Sequence, residues 1–511
     1  MKRLATLALA ISAALPAFAQ PTSILFVGNS YTFGRTDGSL NPSGSLNLTN
    51  QVLTYNASNV RDLTAPRGSG VLQAVSPTLT PTYTGDPFTN VFGTNSYPIG
   101  MNIPGTATQG NSYSPHTQLN TWGGTAGIFK QFTVQAGLNY DVALSTRNAA
   151  SLRGHLLNTA NTYSWDLRSN IGSTNLSLPA ITNASQKWDN MVLQEQSDEA
   201  LGPRTTTKDF AGRSLISNGT TIVNGTATLG SNHPSTRAYV DLVEDWVHTG
   251  KVTIAPGSPA VTSYTERDMF RAQYRPLGGT DAQADAACQA AGGGTLCTNG
   301  TTRNLGENLN ANPNARIFLQ ETWARPDLIN SPGEKTLSPV TALATYNTAV
   351  PAPSYFSSLE EMTAEMAAAI VRIRDYADDD GSAGIAGIIP TGQAFLRAVQ
   401  SGAATRDMYA PDALTDGLID LWFNDGTHPS KWGSYLSALT VFGSVTGLDP
   451  ASLGANEIAA ADLGISQADA LRLQRIASDQ LGFTAPIPEP GTWAMMFFGL
   501  LFCSAAARRV R

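Results

Sequence analysis

Five short apolar runs recur along this chain: ILFV (24–27), YDVALS (140–145), MVLQ (191–194), ARIFLQ (315–320) and IAGII (385–389). They are nearly continuous in apolar residues rather than alternating apolar with polar. A strand with one wet face alternates, so these runs predict strands covered on both faces. Helical patterns lie between them. In SSLEEMTAEMAAAIVRIRDYA, Met362, Met366, Ile370 and Ile373 fall on one helical face, and Ser357 or Ser358 can cap the start with Glu360 or Glu361 three residues on. Strands alternating with helices predict an α/β protein with a parallel sheet. Ligands in such sheets meet the carboxyl ends of the strands.

Two stretches break the alternation. Residues 34–115 are rich in Ser, Thr, Asn, Pro and Gly. Residues 204–312 mix helical patterns such as TRAYVDLVEDWVHTG with a Gly-rich loop. Stretches this long inside a domain are expected to be ordered or functional insertions, here decorations over the sheet's carboxyl edge. Of 511 residues, 41% are hydrophobic and only 14% charged, so a full core is available while the surface relies on Ser, Thr, Asn and Gly. That balance suits an exported protein. The formal charge is −7, and no basic run lies between the termini. A nucleic-acid partner needs a basic face to displace counterions, so that class is set aside.

The termini read as addresses. MKRLATLALAISAALPAFAQ has Lys2 and Arg3, an apolar stretch broken by Pro16, and small residues at Ala17 and Ala19. This is a secretory signal, residues 1–19, cut before Gln20. At the other end, the apolar run Trp493–Ala507 is shorter than the ~20 residues that comfortably span a bilayer. It would serve as a plain anchor, held by Arg508, Arg509 and Arg511 on the cytoplasmic side. Pro488-Glu489-Pro490, an apolar helix and an arginine cluster, in that order, resemble the PEP-CTERM sorting signal over residues 486–511. That resemblance implies a transient membrane tether, an exosortase-type processing enzyme as partner, and a destination at the cell surface or extracellular matrix of a Gram-negative bacterium. Residues 20–485 remain as the working domain.

Cys288 and Cys297 flank AAGGGTL in a chain bound for an oxidising compartment and read as a disulfide. A zinc site needs more ligands than two thiols without a nearby His. Asp378-Asp379-Asp380-Gly381 resembles part of a calcium loop. With Gly381 in sixth place, however, the first and twelfth places fall on Tyr376 and Gly387 where acids are required. It reads as a solvated turn after a helix, and no metal is expected.

Chemistry concentrates near the two ends of the domain. ILFV runs into Gly28-Asn29-Ser30, placing a hydroxyl at a strand's carboxyl end. Asn424-Asp425-Gly426-Thr427-His428 precedes the helical pattern SYLSALTVFGSV. A hydroxyl nucleophile needs a base, and the imidazole needs a partner on its other nitrogen. Asp425 and His428 supply both. His155 is expected to shape the pocket or face solvent.

VGNSYT and NDGTHPSKWGSYLSA resemble the first and last motif blocks of the SGNH (GDSL-like) hydrolases, with Gly-Asn-Ser in place of the usual Gly-Asp-Ser. The resemblance spans about residues 22–446. It implies a three-layer α/β/α, flavodoxin-like parallel sheet carrying the two insertions, and serine esterase chemistry without metal or cofactor. Ser30 becomes the nucleophile, His428 the base and Asp425 its orienter. The middle blocks depart from the family pattern: Ala149 stands where a Gly offers its N–H to the oxyanion, and Gln196 where an Asn does. The expected substrates are acyl esters, with acylated extracellular polysaccharide favoured by the sorting signal. The alternative is a non-catalytic surface or matrix protein that binds glycan on a hydrolase scaffold.

Overall fold

The computed structural model describes residues 21–33, 124–146, 151–157, 163–166, 171–173, 187–195, 198–215, 226–229, 233–289, 295–337, 344–378 and 380–483. The predicted signal segment 1–19, the insertion 34–115, Ala149, Gln196 and the sorting segment 486–511 lie outside the described residues.

All five apolar runs are strands of one sheet. In chain order the strands are β1 (Thr22–Gly28), β2 (Tyr140–Thr146), β3 (Tyr163–Asp166), β4 (Ile171–Ser173), β5 (Asn190–Gln194), β6 (Arg204–Thr206), β7 (Ala227–Leu229), β8 (Ser263–Thr265), β9 (Thr302–Asn304), β10 (Arg316–Gln320), β11 (Glu334–Leu337), β12 (Ala344–Asn347) and β13 (Gly387–Ile389). The main sheet runs β13-β10-β5-β1-β2-β3-β4. Its first five strands are parallel, and β3 and β4 extend it antiparallel. This extension was not expected: at four and three residues, β3 and β4 are too short for a periodicity to register. The pairs β6–β7, β8–β9 and β11–β12 form separate two-stranded ribbons.

Among the parallel strands the chain first steps from β1 to β2, then reverses to β5, β10 and β13 on the other side of β1. Right-handed crossovers put the connecting helices on opposite faces when the direction reverses. Helices Gly124–Gln135, Thr391–Gln400 and Lys431–Thr446 accordingly pack as one layer, and Leu152–Leu157, His233–His248 and Leu359–Ala377 as the other. The α/β class and the flavodoxin-like strand order follow. Ile24, Leu25, Phe26 and Val27 are fully buried, as two covered faces require. Helix Leu359–Ala377 starts at Ser358, whose hydroxyl accepts the Glu361 N–H at 3.1 Å while the Glu361 carboxylate accepts the Ser357 N–H. Met362, Met366, Ile370 and Ile373 face the core.

Residues 204–312 are not wholly decoration. Helix His233–His248 lies within them and buries Tyr239 and Trp246 in the main core. It is the layer helix that carries the chain from β5 to β10. Among the described residues no helix is long and apolar enough to cross a membrane.

Candidate active site

A parallel sheet opens a crevice where the strand order reverses, beyond the carboxyl ends. Here that point lies beside β1. The strand ends on Gly28, and Asn29 leads into the single helical turn Ser30–Phe33. Gly28 is required by space. A Cβ there would lie 2.1 Å from Thr32 Oγ1 and 2.6 Å from Gln194 Oε1. The turn is fastened through the neighbouring strand: Gln194, the last residue of β5, accepts the Asn29 N–H at 3.1 Å and the Thr32 hydroxyl at 2.8 Å on one oxygen. Asn29 Oδ1 accepts the Tyr31 N–H at 3.0 Å. Behind the turn, buried His155 places Nε2 2.8 Å from the Gly28 carbonyl. A carbonyl only accepts, so that nitrogen carries the proton.

The loop from the far end of the chain meets this turn. Ser30 Oγ is 2.8 Å from His428 Nε2, and His428 Nδ1 is 2.7 Å from Asp425 Oδ2. The other Asp425 oxygen accepts the N–H groups of Thr427 and His428, each at 2.9 Å. Asp425 is thus pinned by its own loop. A carboxylate acceptor at Nδ1 puts the imidazole proton there and leaves Nε2 free to accept the Ser30 proton. All three side chains are buried. Tyr31 meets the His428 ring edge-on at 5.4 Å and lies against Trp323 at 4.6 Å.

Neighbouring elements brace the loop. Trp323 Nε1 donates to the Thr427 carbonyl at 3.0 Å. Lys335, on β11, donates to the Asp425 carbonyl at 3.0 Å and to Asp327 at 2.6 Å. Tyr346, on β12, donates to the Asn424 carbonyl at 2.8 Å, and the Asn424 amide exchanges two hydrogen bonds with the Ala344 backbone. Gly426 takes φ +67°, and a Cβ there would press on the Tyr409 hydroxyl. Burial by itself would raise the Asp327 carboxyl, but Arg325 and Lys335 outweigh it and hold the group below the usual carboxylate range. Arg325 pairs with Asp327 at 2.8 Å and Asp198 at 3.0 Å. A cleft of about 620 Å³ opens on this brace, lined by Asp327, Glu334, Lys335 and Tyr355 among others; Ser30 and His428 are not in its wall.

Of the residues singled out in the sequence, the structure brings Ser30, His428 and Asp425 together. Cys288 and Cys297 are joined as a disulfide. Ala149 and Gln196 lie outside the described residues. Several contributors were missed, among them Gln194, Arg325 and Lys335. Gln194 had a signal: a polar amide ends an otherwise apolar buried strand. Arg325 and Lys335 had none, because the Thr427 hydroxyl they reach lies 102 and 92 residues away in sequence.

Residues 486–511 match the PEP-CTERM protein-sorting motif. That motif supports export, recognition by an exosortase-type processing enzyme, and delivery to the cell surface or beyond it in a Gram-negative bacterium. No curated protein matches the chain. Among solved structures, the chain is similar to a DUF4886 family protein from Bacteroides uniformis ATCC 8492, with 10% sequence identity and a TM-score of 0.33 over 71% of this chain and 92% of that one.

Proposed function

We propose that the mature chain is an exported serine ester hydrolase of SGNH type, acting on acyl esters of extracellular carbohydrate or related compounds. The observation that carries this reading is the buried relay from Ser30 through His428 to Asp425 at the sheet's switch point. Ser30 Oγ attacks the ester carbonyl while its proton passes to His428 Nε2. Asp425 holds the imidazole in the accepting tautomer and stabilises the imidazolium that forms. The Ser30 N–H opens a helical turn, where backbone donors are unsatisfied, and is assigned to the oxyanion. Ala149 N–H and the Gln196 amide are proposed beside it from their sequence positions. His428 then protonates the departing alcohol. Water, deprotonated by His428, releases the acid and restores Ser30. The sorting motif supports a substrate outside the cell.

A fluorophosphonate probe should label the purified wild-type protein and leave Ser30→Ala unlabelled. A series of p-nitrophenyl acyl esters then gives the preferred chain length. Failure of both labelling and ester turnover in folded wild-type protein would return the scaffold to the glycan-binding alternative.

A further inference from the structure

Gly28 sets a problem for the strand it ends. Space forbids a Cβ there, since one would lie 2.1 Å from Thr32 Oγ1. Glycine, however, has the most permissive backbone of any residue, and here it closely precedes the proposed nucleophile. The sheet restrains it only in part. Pairing of β1 with β5 ends at Val27 and Leu193, one rung short of Gly28. On the other side Gly28 pairs with Thr146, the last residue of β2. The peptide unit from Gly28 to Asn29 thus lies beyond the β5 ladder.

Side chains grip that peptide where the ladder stops. Its N–H is accepted by Gln194 Oε1 at 3.1 Å, from the end of β5. Its carbonyl accepts from His155 Nε2 at 2.8 Å, from the connection after β2. The C=O and N–H of a trans peptide point in opposite directions, so the two side chains hold one plane from its two sides. Both are buried.

His155 is held in turn. Its helix, Leu152–Leu157, has six residues, too few to be stable alone. The Leu152 N–H at its start donates to both carboxylate oxygens of Glu195, at 3.2 and 3.1 Å. Ser151 Oγ accepts the Gly154 N–H at 3.3 Å. Arg153 donates to fully buried Glu266 at 3.0 and 2.8 Å, and Leu152 and Leu156 lie in the core. A helix fixed at this many points delivers the imidazole at a set depth. Glu195 follows Gln194 directly, so the end of β5 supplies one arm of the grip and anchors the other.

We propose that His155 is a positioning residue for Ser30: with Gln194 it clamps the Gly28–Asn29 peptide and so fixes the direction in which the Ser30 N–H and Oγ leave the strand. The assignment rests on the reading of Ser30 as nucleophile. His155 moves no proton in this role. Without its N–H, the plane rocks about the glycine and misplaces the oxyanion donor and the hydroxyl together. Such misplacement raises the barrier without weakening ground-state binding.

The test compares His155→Gln with His155→Asn in the mature protein. Both carry an amide. In glutamine its nitrogen stands as many bonds from Cα as Nε2 does in histidine; in asparagine it stops one bond short. With p-nitrophenyl esters as probe, His155→Asn should lower kcat by roughly 10²-fold with KM little changed, and His155→Gln should recover at least about tenfold of that loss. Fluorophosphonate labelling of Ser30 should slow in the same order. His155→Leu replaces His155→Asn should the latter not fold. Wild-type kcat in His155→Asn, equal losses in the two amide variants, or a loss confined to KM would each overturn the assignment. Amide hydrogen exchange reads the clamp without turnover. The Asn29 N–H should exchange about tenfold faster or more in His155→Asn, while Phe26 inside the strand keeps its wild-type rate. Unchanged exchange at Asn29 would overturn the clamp whether or not esters are turned over. The exchange effect in a protein whose wild type neither labels nor hydrolyses would instead overturn the reading of Ser30, and with it the catalytic purpose of the clamp.

Discussion

Ser30 adds a single oxygen to a crowded turn, so Ser30→Ala removes chemistry with little packing. Its circular dichroism and Tm should match the wild type while ester turnover falls by roughly 10⁴-fold or more; His428→Ala should match it, and the double variant should be no worse than either. Retained turnover in Ser30→Ala would sink the mechanism. Gln194 is different, because its oxygen satisfies two buried donors. Gln194→Ala leaves the Asn29 N–H and the Thr32 hydroxyl without that acceptor, at a cost of about 1–3 kcal/mol in urea unfolding. Gly28→Ala should be harsher still, since its new Cβ would overlap Thr32 and Gln194. At this scale the sequence spoke clearly about residues whose chemistry is rare. A serine after an apolar run and an Asp three residues before a His stood out. Gln194 did not, because its role lies in what it touches on the next strand.

The β11–β12 ribbon acts as a clamp on the loop that carries His428. Lys335→Met keeps the aliphatic stem but drops the bond to the Asp425 carbonyl, letting the base drift. The expected result is a kcat reduced by roughly 10–10²-fold with KM little changed, since small displacements of a catalytic group are costly. A KM effect alone would instead assign Lys335 to substrate binding. Cys288 and Cys297 close a short loop between the helices Asp281–Cys288 and Thr295–Asn299. Replacing both by Ser should cost about 2–3 kcal/mol in the chain-entropy picture. The layer strands and helices were legible because double burial and helical faces write themselves into every turn of the chain. The ribbons were not: three- and four-residue strands on the periphery carry too few positions to show a period.

For the molecule as a whole, pH acts through opposed groups. Burial raises Glu321 to about 7, against a hydrogen bond from Gln393. Between the unfolded value and about 7 the unfolded chain is ionised while the folded carboxyl still holds its proton, so stability falls as pH rises through that window. Burial, with repulsion from Asp416, does the same to Asp420, also to about 7. Asp327 has the opposite sign: its depressed value gives stability above the unfolded pKa that is lost in acid. Unfolding free energy should therefore peak near pH ~5, and Glu321→Gln should flatten the neutral limb by on the order of 3 kcal/mol. A flat profile from pH 5 to 8 in the wild type would contradict the burial of Glu321. Intact-mass analysis of native protein should show loss of the segment after Pro488-Glu489-Pro490; a retained Arg508–Arg511 tail would mean a permanent anchor. Class and strand order at this scale were legible from alternation and from motif blocks. What escaped was the contact between Glu244 and the turn before β13, whose Ser382 lies 138 residues further on and comes close because β10 and β13 are neighbours.

Ser30 and His428 stand 398 residues apart and yet share a hydrogen bond. Chains leave the ribosome amino end first, so Ser30 emerges early and His428 late. Until the loop before Lys431–Thr446 is delivered, the serine is only a hydroxyl at the end of a strand. Competence is therefore a matter of timing. On the proposed mechanism, a chain made only as far as the loop before Lys431–Thr446 holds Ser30 without its base, and the hydroxyl gains it when that loop folds back onto the first strand.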